Sequence, residues 1–593
     1  MRSIIWAMVL GLIGAPVAAQ TVSLTAQDAP EEVMSLLRTN SLVLAAKDSG
    51  DATPQGFVAA ARADYRTLLT ALYAAGYYAG EIDIAIDGRQ AATIAPLDAP
   101  QTIDRIEITV TTGPLFAFGQ ATITPLAEGT ELPDTFANDA PAKSDSIRDA
   151  VAEAVGAWRA QGHAKAAPAG QSITARHADA TLNADVRLAP GPQLTFGDVT
   201  ISGNRLVREA AIRRIAGVPV GATFSPQDLS DAAARLRKTG AFSSVALIEA
   251  ESIGAGNTLP IALEVQEAKL RRLGVGLELS TIEGLRASLY WLHRNALGGA
   301  ERFQIEGEVA GIGGDTGGID YSLTASLGIP AVFTTRTDFL ATATISREDE
   351  PDYLIDAVSI ETALTRRVGA NLSTSAGIGL LAARETTDAG TREYTLLTLP
   401  LNGQLDVRDD PTNPKQGYFI DADVTPFLGL QGSESGGRAF VDARVYRSFG
   451  EDNRVTLAAR TQIGSLIGAQ SGDVPADFLF YSGGGGTVRG QAYKSLGDVD
   501  QGGNDTGGLS FAGAQLEARV DVTETIGVVG FFDLGFVGTT ALPLEDGDWH
   551  SGAGLGLRYN TGIGPIRVDI ATPTSGDDAF GSAQLYIGIG QSF

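Results

Sequence analysis

The C-terminal half of the chain alternates apolar residues with polar or small ones. The pattern is clear in RRLGVGLELS, in GPIRVDIA and in the last segment, QLYIGIGQSF, whose apolar positions are Leu273, Val275, Leu277, Leu279, Ile566, Val568, Ile570, Leu585, Ile587, Ile589 and Phe593. Alternation of period two between turn-rich segments is typical of membrane-barrel strands, which carry apolar residues outward and polar residues inward. A soluble β-sandwich can alternate similarly, but it needs neither so many strands nor so many small residues on the second face.

The number of such segments predicts an all-β transmembrane antiparallel barrel over residues 269–593. This region has room for about 16 strands if each strand and its connection take about 20 residues. The first predicted strand is Leu273 to Ser280, and the last is Leu585 to Phe593. An even number of strands places both ends of the barrel on one side of the membrane. The segment 469–508 is therefore expected on the other, outer side.

A repeat precedes the predicted barrel. GPLFAFGQATI at 113–123 returns as GPQLTFGDVTI at 191–201, among helical patterns that stop at a glycine before a strand. Two occurrences in this context predict tandem α/β modules, at 22–112, 113–190 and 191–268. Periodicity alone indicates no more than generic modules of this kind.

The first residues, MRSIIWAMVLGLIGAPVAA, predict a secretory signal peptide at 1–19. Arg2 supplies the charged start, Ile4 to Ile13 the apolar core, and Val17 to Ala19 the small residues of a cleavage site. The apolar run is shorter than the roughly 20 residues of a membrane-spanning helix. The mature protein is thus expected to leave the cytoplasm, either as a soluble protein or in an outer membrane.

Composition excludes several classes of function. The formal net charge is −26 and no basic stripe is visible, which argues against a nucleic-acid partner. There is no cysteine, and none of the four histidines has metal-ligand spacing with another. No catalytic triad or phosphate-binding loop is present. The sequence therefore predicts no catalytic residues, no metal site, no cofactor and no enzymatic activity.

The segment YSGGGGTVRGQAY (481–493) raises the question of what holds Arg489 after four glycines. Alternation in GVVGFFDLGFV and GAQLEARVDV points Asp533 and Glu517 into the predicted lumen. If the glycine-rich loop folds inward, an arginine–carboxylate pair would pin its tip. The alternative is a flexible surface loop with a solvated arginine.

These residues also resemble the outer-membrane insertase superfamily of BamA and TamA. The resemblance rests on GGGGTVRGQAY, FFDLG and the C-terminal aromatic strand, and it implies periplasmic POTRA modules followed by a 16-stranded barrel. It further implies a loop-six motif of Val488, Arg489 and Gly490, a strand motif of Phe531, Asp533 and Gly535, and an acidic partner at Glu517. Gln491 departs from the family, which usually has an aromatic residue there, so the resemblance does not define the local contact.

The predicted fold class is thus α+β, with three POTRA-like periplasmic modules before the barrel. Three modules rather than five point to a TamA-like autotransporter assembly factor in the outer membrane of a Gram-negative bacterium. The implied partners are unfolded outer-membrane protein clients, the lipid bilayer and an inner-membrane-anchored TamB-like protein docked on the modules. A two-partner-type polypeptide secretion pore is the alternative, and a passive porin is a third hypothesis.

Glycines near both ends of the barrel suggest a lateral seam between its first and last strands. Gly274 and Gly276 on one side, and Gly588 and Gly590 with Phe593 on the other, are the predicted seam residues. Glycine in a strand costs roughly 0.5–1 kcal/mol relative to alanine, so these positions are expected to loosen closure. Alternatively, they simply make room for the folded-in loop.

Overall fold

The computed structural model describes residues 21–593 except 28, 51, 96–97, 281–283, 315–316, 389, 500–504, 563 and 577–578. The predicted signal peptide lies outside these residues. Within the described part, no helix combines the length and the apolar character that crossing a bilayer requires. The chain divides into two compact units: one runs to Asp198 and adds 219–229 and 250–260, and the other holds 199–218, 230–249 and 261–593.

The first unit opens with a sheet covered by helices. Its strands are β1 (Thr21–Gln27), β2 (Glu81–Ile86), β3 (Arg89–Gln90) and β4 (Arg105–Thr111), in the order β1-β4-β2-β3; its helices are α1 (Glu31–Asn40), α2 (Leu42–Ser49) and α3 (Pro54–Ala74). Leu37, Leu68 and Leu72 from the helices bury against Ile84 and Ile108 from the sheet. The apolar face of the helices thus packs on the apolar face of the sheet, and this shared core holds the two layers together.

Two smaller sheets follow along the chain. The first contains β5 (Ala117–Thr124), β6 (Ala167–Arg176) and β7 (Thr181–Ala189) in the order β5-β7-β6, with α4 (Ser144–Ala160). The next contains β8 (Thr195–Ser202), β9 (Phe242–Glu249) and β10 (Thr258–Glu267) in the order β8-β10-β9, with α5 (Glu209–Ala216) and α6 (Pro226–Lys238). The repeated glycine-proline segments thus lead into β5 and β8, the first strand of each sheet.

The remainder is a closed antiparallel barrel. The segments before the long inner connection are β11 (Arg271–Ser280), β12 (Gly284–His293), β13 (Arg302–Ile312), β14 (Asp320–Ile329), β15 (Thr337–Asp349), β16 (Leu354–Val368), β17 (Leu372–Thr387), β18 (Gly390–Thr398), β19 (Leu401–Asp406), β20 (Gly417–Gln431), β21 (Gly436–Phe449) and β22 (Val455–Ile467). That connection contains a small separate hairpin of β23 (Asp498–Val499) and β24 (Asp505–Thr506). The barrel then continues with β25 (Ser510–Asp521), β26 (Ile526–Gly538), β27 (Gly547–Thr561), β28 (Gly564–Pro573) and β29 (Gln584–Ile589).

The segments β18 and β19 are two halves of one strand. Both pair with β17 and with β20, and the register continues unchanged across the interruption at Leu399 and Pro400. Proline has no N–H to give to the ladder, although its carbonyl still accepts from the amide of Gly377 at 2.8 Å. The barrel therefore has 16 strands, which confirms the predicted fold class.

The end of the last strand differs from the prediction. We expected Leu585 to Phe593 to run as one strand with Phe593 on its apolar face, but β29 ends at Ile589 and Gly590 has a φ of +96°. That turn ends the alternation. Phe593 is buried inside against Tyr446, and its main-chain oxygen accepts from Nη2 of Arg519 at 3.0 Å. Phe593 is therefore a lumen residue and does not lie on the lipid face of the seam.

Candidate functional site

The long connection between β22 and β25 folds back into the barrel lumen. Gly483 and Gly484 have φ values of +114° and +87°, which side-chain-bearing residues rarely adopt. A Cβ on Gly483 would also collide with the carbonyl oxygen of Ala492. The hydroxyl of Thr487 closes the turn by accepting from the amide of Gly483 at 2.8 Å. These glycines therefore allow a tight reversal just before Arg489.

Arg489 lies at the loop tip with only 1% of its surface exposed. Its Nε and Nη2 donate to the two carboxylate oxygens of Asp533 at 2.7 and 2.9 Å, and its Nη1 donates to Glu517 at 2.7 Å. The guanidinium carbon stands 3.6 Å from the ring centroid of Phe531. A bidentate ion pair that also stacks on an aromatic ring requires a planar, forked cation, and only the guanidinium of arginine has this geometry. The structure thus brings together the arginine and both carboxylates that the sequence singled out.

Further charges, which the sequence reasoning missed, complete the cluster. Asp569 on β28 lies 3.5 Å from Nη1 of Arg489, and Arg558 on β27 pairs with the same carboxylate. Arg519 donates to Glu517 at 2.8 Å. Three arginines thus face three carboxylates, and all six residues are buried. At such positions an unpaired charge would be strongly destabilising. Alternation alone placed Asp569 on the inner face of GPIRVDIA, and that signal could have identified it.

The neighbouring motif residues fit closely around this ion pair. The side chain of Val488 is fully buried, and a Cβ on Gly535 would lie 2.8 Å from it. Gly490 has a φ of +94°, and a Cβ there would lie 2.6 Å from the backbone of Thr572. At both glycines, absence of a side chain allows the loop to approach the barrel wall.

Polar contacts extend from the loop tip to the last strand. The amide of Gly490 donates to the hydroxyl of Tyr586 at 3.2 Å, and Nε2 of Gln584 donates to the carbonyl of Gly490 at 2.8 Å. Gln491, the residue that departs from the family pattern, donates from its side-chain amide to the carbonyl of Ser551 at 2.8 Å. An amide hydrogen bond to β27 thus stands where the family usually has an aromatic side chain.

The barrel closes through a short seam. Among the described residues, the first strand β11 pairs with the last strand β29 at Leu279 with Ile587 and at Ser280 with Tyr586. By contrast, β11 makes ten residue pairs with β12, and β29 makes six with β28. Over the described residues, the seam therefore contains fewer backbone pairs than either of these neighbouring ladders.

The predicted seam glycines do not face one another across these pairs. A Cβ on Gly274 would collide with the ring of Tyr290, a Cβ on Gly276 would lie 2.5 Å from Oγ of Ser288, and one on Gly588 would lie 3.1 Å from Nε of Arg567. Gly590 lies beyond the end of β29. Three of these glycines thus leave room for side chains of neighbouring strands, which is a different role from loosening the backbone.

Two family models match the chain. An Omp85 superfamily domain matches residues 295–593, and a POTRA model, described as surface antigen variable number repeat, matches residues 194–268.

The chain belongs to the Omp85 superfamily.

Solved structures show the same fold. BamA from Haemophilus ducreyi lacking POTRA domains 1–3 matches with 15% sequence identity and a TM-score of 0.63, over 80% of this chain and 100% of that one. CdiB from Acinetobacter baumannii matches with 13% identity and a TM-score of 0.50, over 81% of this chain and 90% of that one. At such identities the likeness shows the fold and does not distinguish between functions.

Membership of the Omp85 superfamily settles the broad class of this protein. An Omp85 barrel with a POTRA module belongs in the outer membrane of a Gram-negative envelope, with the POTRA region in the periplasm. Such proteins insert or secrete other proteins and are not enzymes. Among the described residues, no group of three or more histidine, aspartate or glutamate side chains lies so as to hold a metal ion.

Proposed function

We propose that this Omp85 protein is a TamA-like assembly factor that inserts β-barrel or autotransporter-type clients through the seam between β11 and β29. The observation that carries this proposal is the seam itself, in which the described residues form two pairs. A closed barrel offers no strand edge to a client, whereas a seam of this length can open at small cost. The first strand is the natural place for a client strand to add.

The unpaired part of β11 supports this route. Residues 271–278 pair with β12 on one side and make none of the seam pairs on the other. Their outward side chains are apolar, and Val275 and Leu277 are 72% and 66% exposed. A client strand added here would satisfy the free backbone groups of β11 and continue its lipid-facing surface.

The occupied lumen argues against the secretion-pore alternative. The loop tip is locked on the inner wall by the buried pair of Arg489 with Asp533. A second ionic contact joins Lys494 to Glu350 at 3.0 Å further along the loop. A polypeptide passing through the lumen would have to displace both attachments. Lateral entry requires neither to break.

The periplasmic sheets supply candidate surfaces for partners. β6 is an edge strand whose residues are mostly exposed, and β1 is an edge strand of the first sheet. An exposed edge can hold an extended segment by strand addition. We therefore extend the proposal to unfolded clients held by the modules and to an inner-membrane-anchored TamB-like partner on the first module.

Site-specific photo-crosslinking tests the route. A photoreactive residue replacing Val275, on the outer face of β11, should capture a client during assembly. One replacing Gly486, where added atoms have open space in the lumen, should not. Val441, which faces outward on β21, is the matched lipid-facing control. Capture at 486 without capture at 275 would instead identify a secretion pore, and capture at neither would identify a passive channel.

A further inference from the structure

A charged row crosses the barrel seam on its lumen side. Nη2 of Arg567, on β28, lies 3.2 Å from Oε1 of Glu278, on β11. These two strands are not neighbours, because β29 runs between them. The ion pair thus joins the two sides of the seam independently of the backbone pairs at Leu279 and Ser280.

Gly588 makes this long reach possible. It pairs directly with Arg567 in the β28–β29 ladder, and extending the seam register by one residue places it opposite Glu278. The three residues therefore stand in one row across three strands. A Cβ on Gly588 would lie 3.1 Å from Nε of Arg567, so any larger side chain would occupy the space that the guanidinium crosses.

The surroundings leave Glu278 as the partner of Arg567. Asp569, the other carboxylate on the inner face of β28, is already engaged by Arg558 and Arg489. Within the described residues, Glu278 is the carboxylate at ion-pairing distance from Arg567, and Nε of Arg567 is buried without a hydrogen-bond acceptor. The guanidinium is thus directed across β29 and towards the first strand.

The row continues beyond the seam with alternating sign. Glu278 stands opposite Arg286 in the β11–β12 ladder, and Nη1 of Arg286 donates to Glu308 on β13 at 2.6 Å. A slip of the seam by two residues keeps the apolar faces outward, so hydrophobicity does not oppose it. The same slip would move Arg567 away from Glu278 and towards Gly276 or Ser280. Charge therefore discriminates between registers that hydrophobicity leaves equivalent.

We propose that Arg567 is a positioning residue of the seam: passing over Gly588, it pairs with Glu278 and selects the register in which the last strand meets the first. This inference rests on the proposed function, because a seam that opens for a client must close again in one register. An ion pair of this exposure changes an equilibrium by up to about fivefold. Because the apolar pattern is equivalent in the two registers, a factor of this size shifts the balance between them.

The test measures the register directly in the full-length protein without a client. The chain has no cysteine, so introduced pairs report without background. Leu279→Cys with Ile587→Cys joins residues that face each other, whereas Leu277→Cys with Ile587→Cys reports a slip of two residues. In the parent protein, oxidation should crosslink the first pair in clear excess over the second.

Three changes should each shift that ratio towards the slipped pair by roughly threefold to fivefold. They are Glu278→Gln, Arg567→Gln and Gly588→Leu, the last of which blocks the crossing without changing a charge. The exchange Glu278→Arg with Arg567→Glu should restore the parent ratio. As the control, the same exchange at Arg384 and Glu393, which pair between β17 and β18, should leave it unchanged.

An unchanged ratio in the single variants, or an exchange that fails to restore it, overturns the proposal. If Gly588→Leu prevents folding, Gly588→Ala adds only one methyl and should shift the ratio less in the same direction; no shift would count against the inference. Client crosslinking at position 275 is measured separately. Its loss with a normal register ratio would remove the insertion route and leave the role of Arg567 intact.

Discussion

The amide of Gly490, at the tip of the folded-in loop, donates a hydrogen bond to the hydroxyl of Tyr586 on the last barrel strand over 3.2 Å. The backbone of the same Tyr586 forms a seam pair with Ser280. The loop lock and the seam therefore share a residue. A change that frees the loop tip removes a support of the last strand next to the place where the barrel closes.

Breaking the central ion pair should release the loop. We expect Arg489→Ala and Asp533→Ala each to cost about 3–5 kcal/mol, because either leaves buried charges unpaired. Their double variant should be little worse than the single ones, since both remove one interaction. Protease cleavage within 469–499 measures the release. Arg454→Ala, which removes an exposed arginine 3.7 Å from Asp452, is the control and should not expose the loop. Additive effects would show that the two residues do not act together.

Removing the Tyr586 hydroxyl should weaken the seam while leaving the ring in place. Tyr586→Phe deletes the bond from Gly490, worth about 0.5–1.5 kcal/mol, and should lower the yield of the Leu279→Cys and Ile587→Cys crosslink. Tyr559→Phe, on the outer face of β27, is the matched control. Equal crosslink yields in the two variants would show that the loop tip does not support the seam.

A methyl group at Gly535 should displace the loop. The new Cβ would lie 2.8 Å from Val488, so Gly535→Ala is expected to cost about 1–3 kcal/mol by overpacking and to raise protease sensitivity of the loop. Gly403→Ala, on β19 where the Cβ meets open space, should be nearly neutral. Equal protease sensitivity of the loop in the two variants would contradict the close packing of Gly535 against Val488.

The POTRA region should lose a local contact at low pH. The amides of Arg205, Leu206 and Val207 all donate to Oε1 of Glu267 at 2.8 Å. Partial burial raises the pKa of Glu267, but these donors and the charge of Arg205 outweigh it and hold the pKa below its ordinary value. The contribution of Glu267 to stability is therefore present above the unfolded-state pKa and disappears as the pH falls through the lower, folded-state pKa.

Glu267→Gln should accordingly destabilise the loop at 205–207 at neutral pH. Acidification should then destabilise this loop less in the variant than in the parent protein. Hydrogen exchange of residues 205–207 in the full-length protein measures both effects. Glu264→Gln, at an exposed position of the same strand, is the control. A parent protein whose exchange at 205–207 is the same at neutral and acidic pH, after correction for intrinsic rates, would contradict the assignment.

Strand parity predicts which loops face outward. The turn at 432–435 follows the ninth strand, so a tag there should be reached by antibody on intact cells, and a tag at Gly50 should not. Gly50 is exposed in the structure, so its protection would come from the membrane and not from burial. Labelling at Gly50 without labelling at 432–435 would show that the barrel has the opposite orientation in the membrane.

Much of the site follows from local pattern. Alternation alone directed Asp533 and Glu517 into the lumen, and these carboxylates suggested a partner for Arg489 if the glycine-rich loop folds inward. Alternation failed at Phe593, because Gly590 turns the backbone and ends the strand. It also gave no means of choosing the partners of Asp569, which are Arg489 and Arg558. Those contacts depend on the stagger of the strands, and stagger has no local signature.

By itself, the sequence determined the order of modules and barrel, and it directed Asp533 and Glu517 to the inner face of their strands. It also determined the residue types at the loop tip. These features depend on periodicity and backbone preference over a few neighbouring residues. Only the tertiary structure decided that Leu279 and Ser280 pair with the last strand, that Phe593 turns inward, and that Arg567 crosses Gly588 to reach Glu278. Arg567 and Glu278 are 289 residues apart in the chain. Their meeting follows from the summed register of every strand around the barrel, which no single segment encodes.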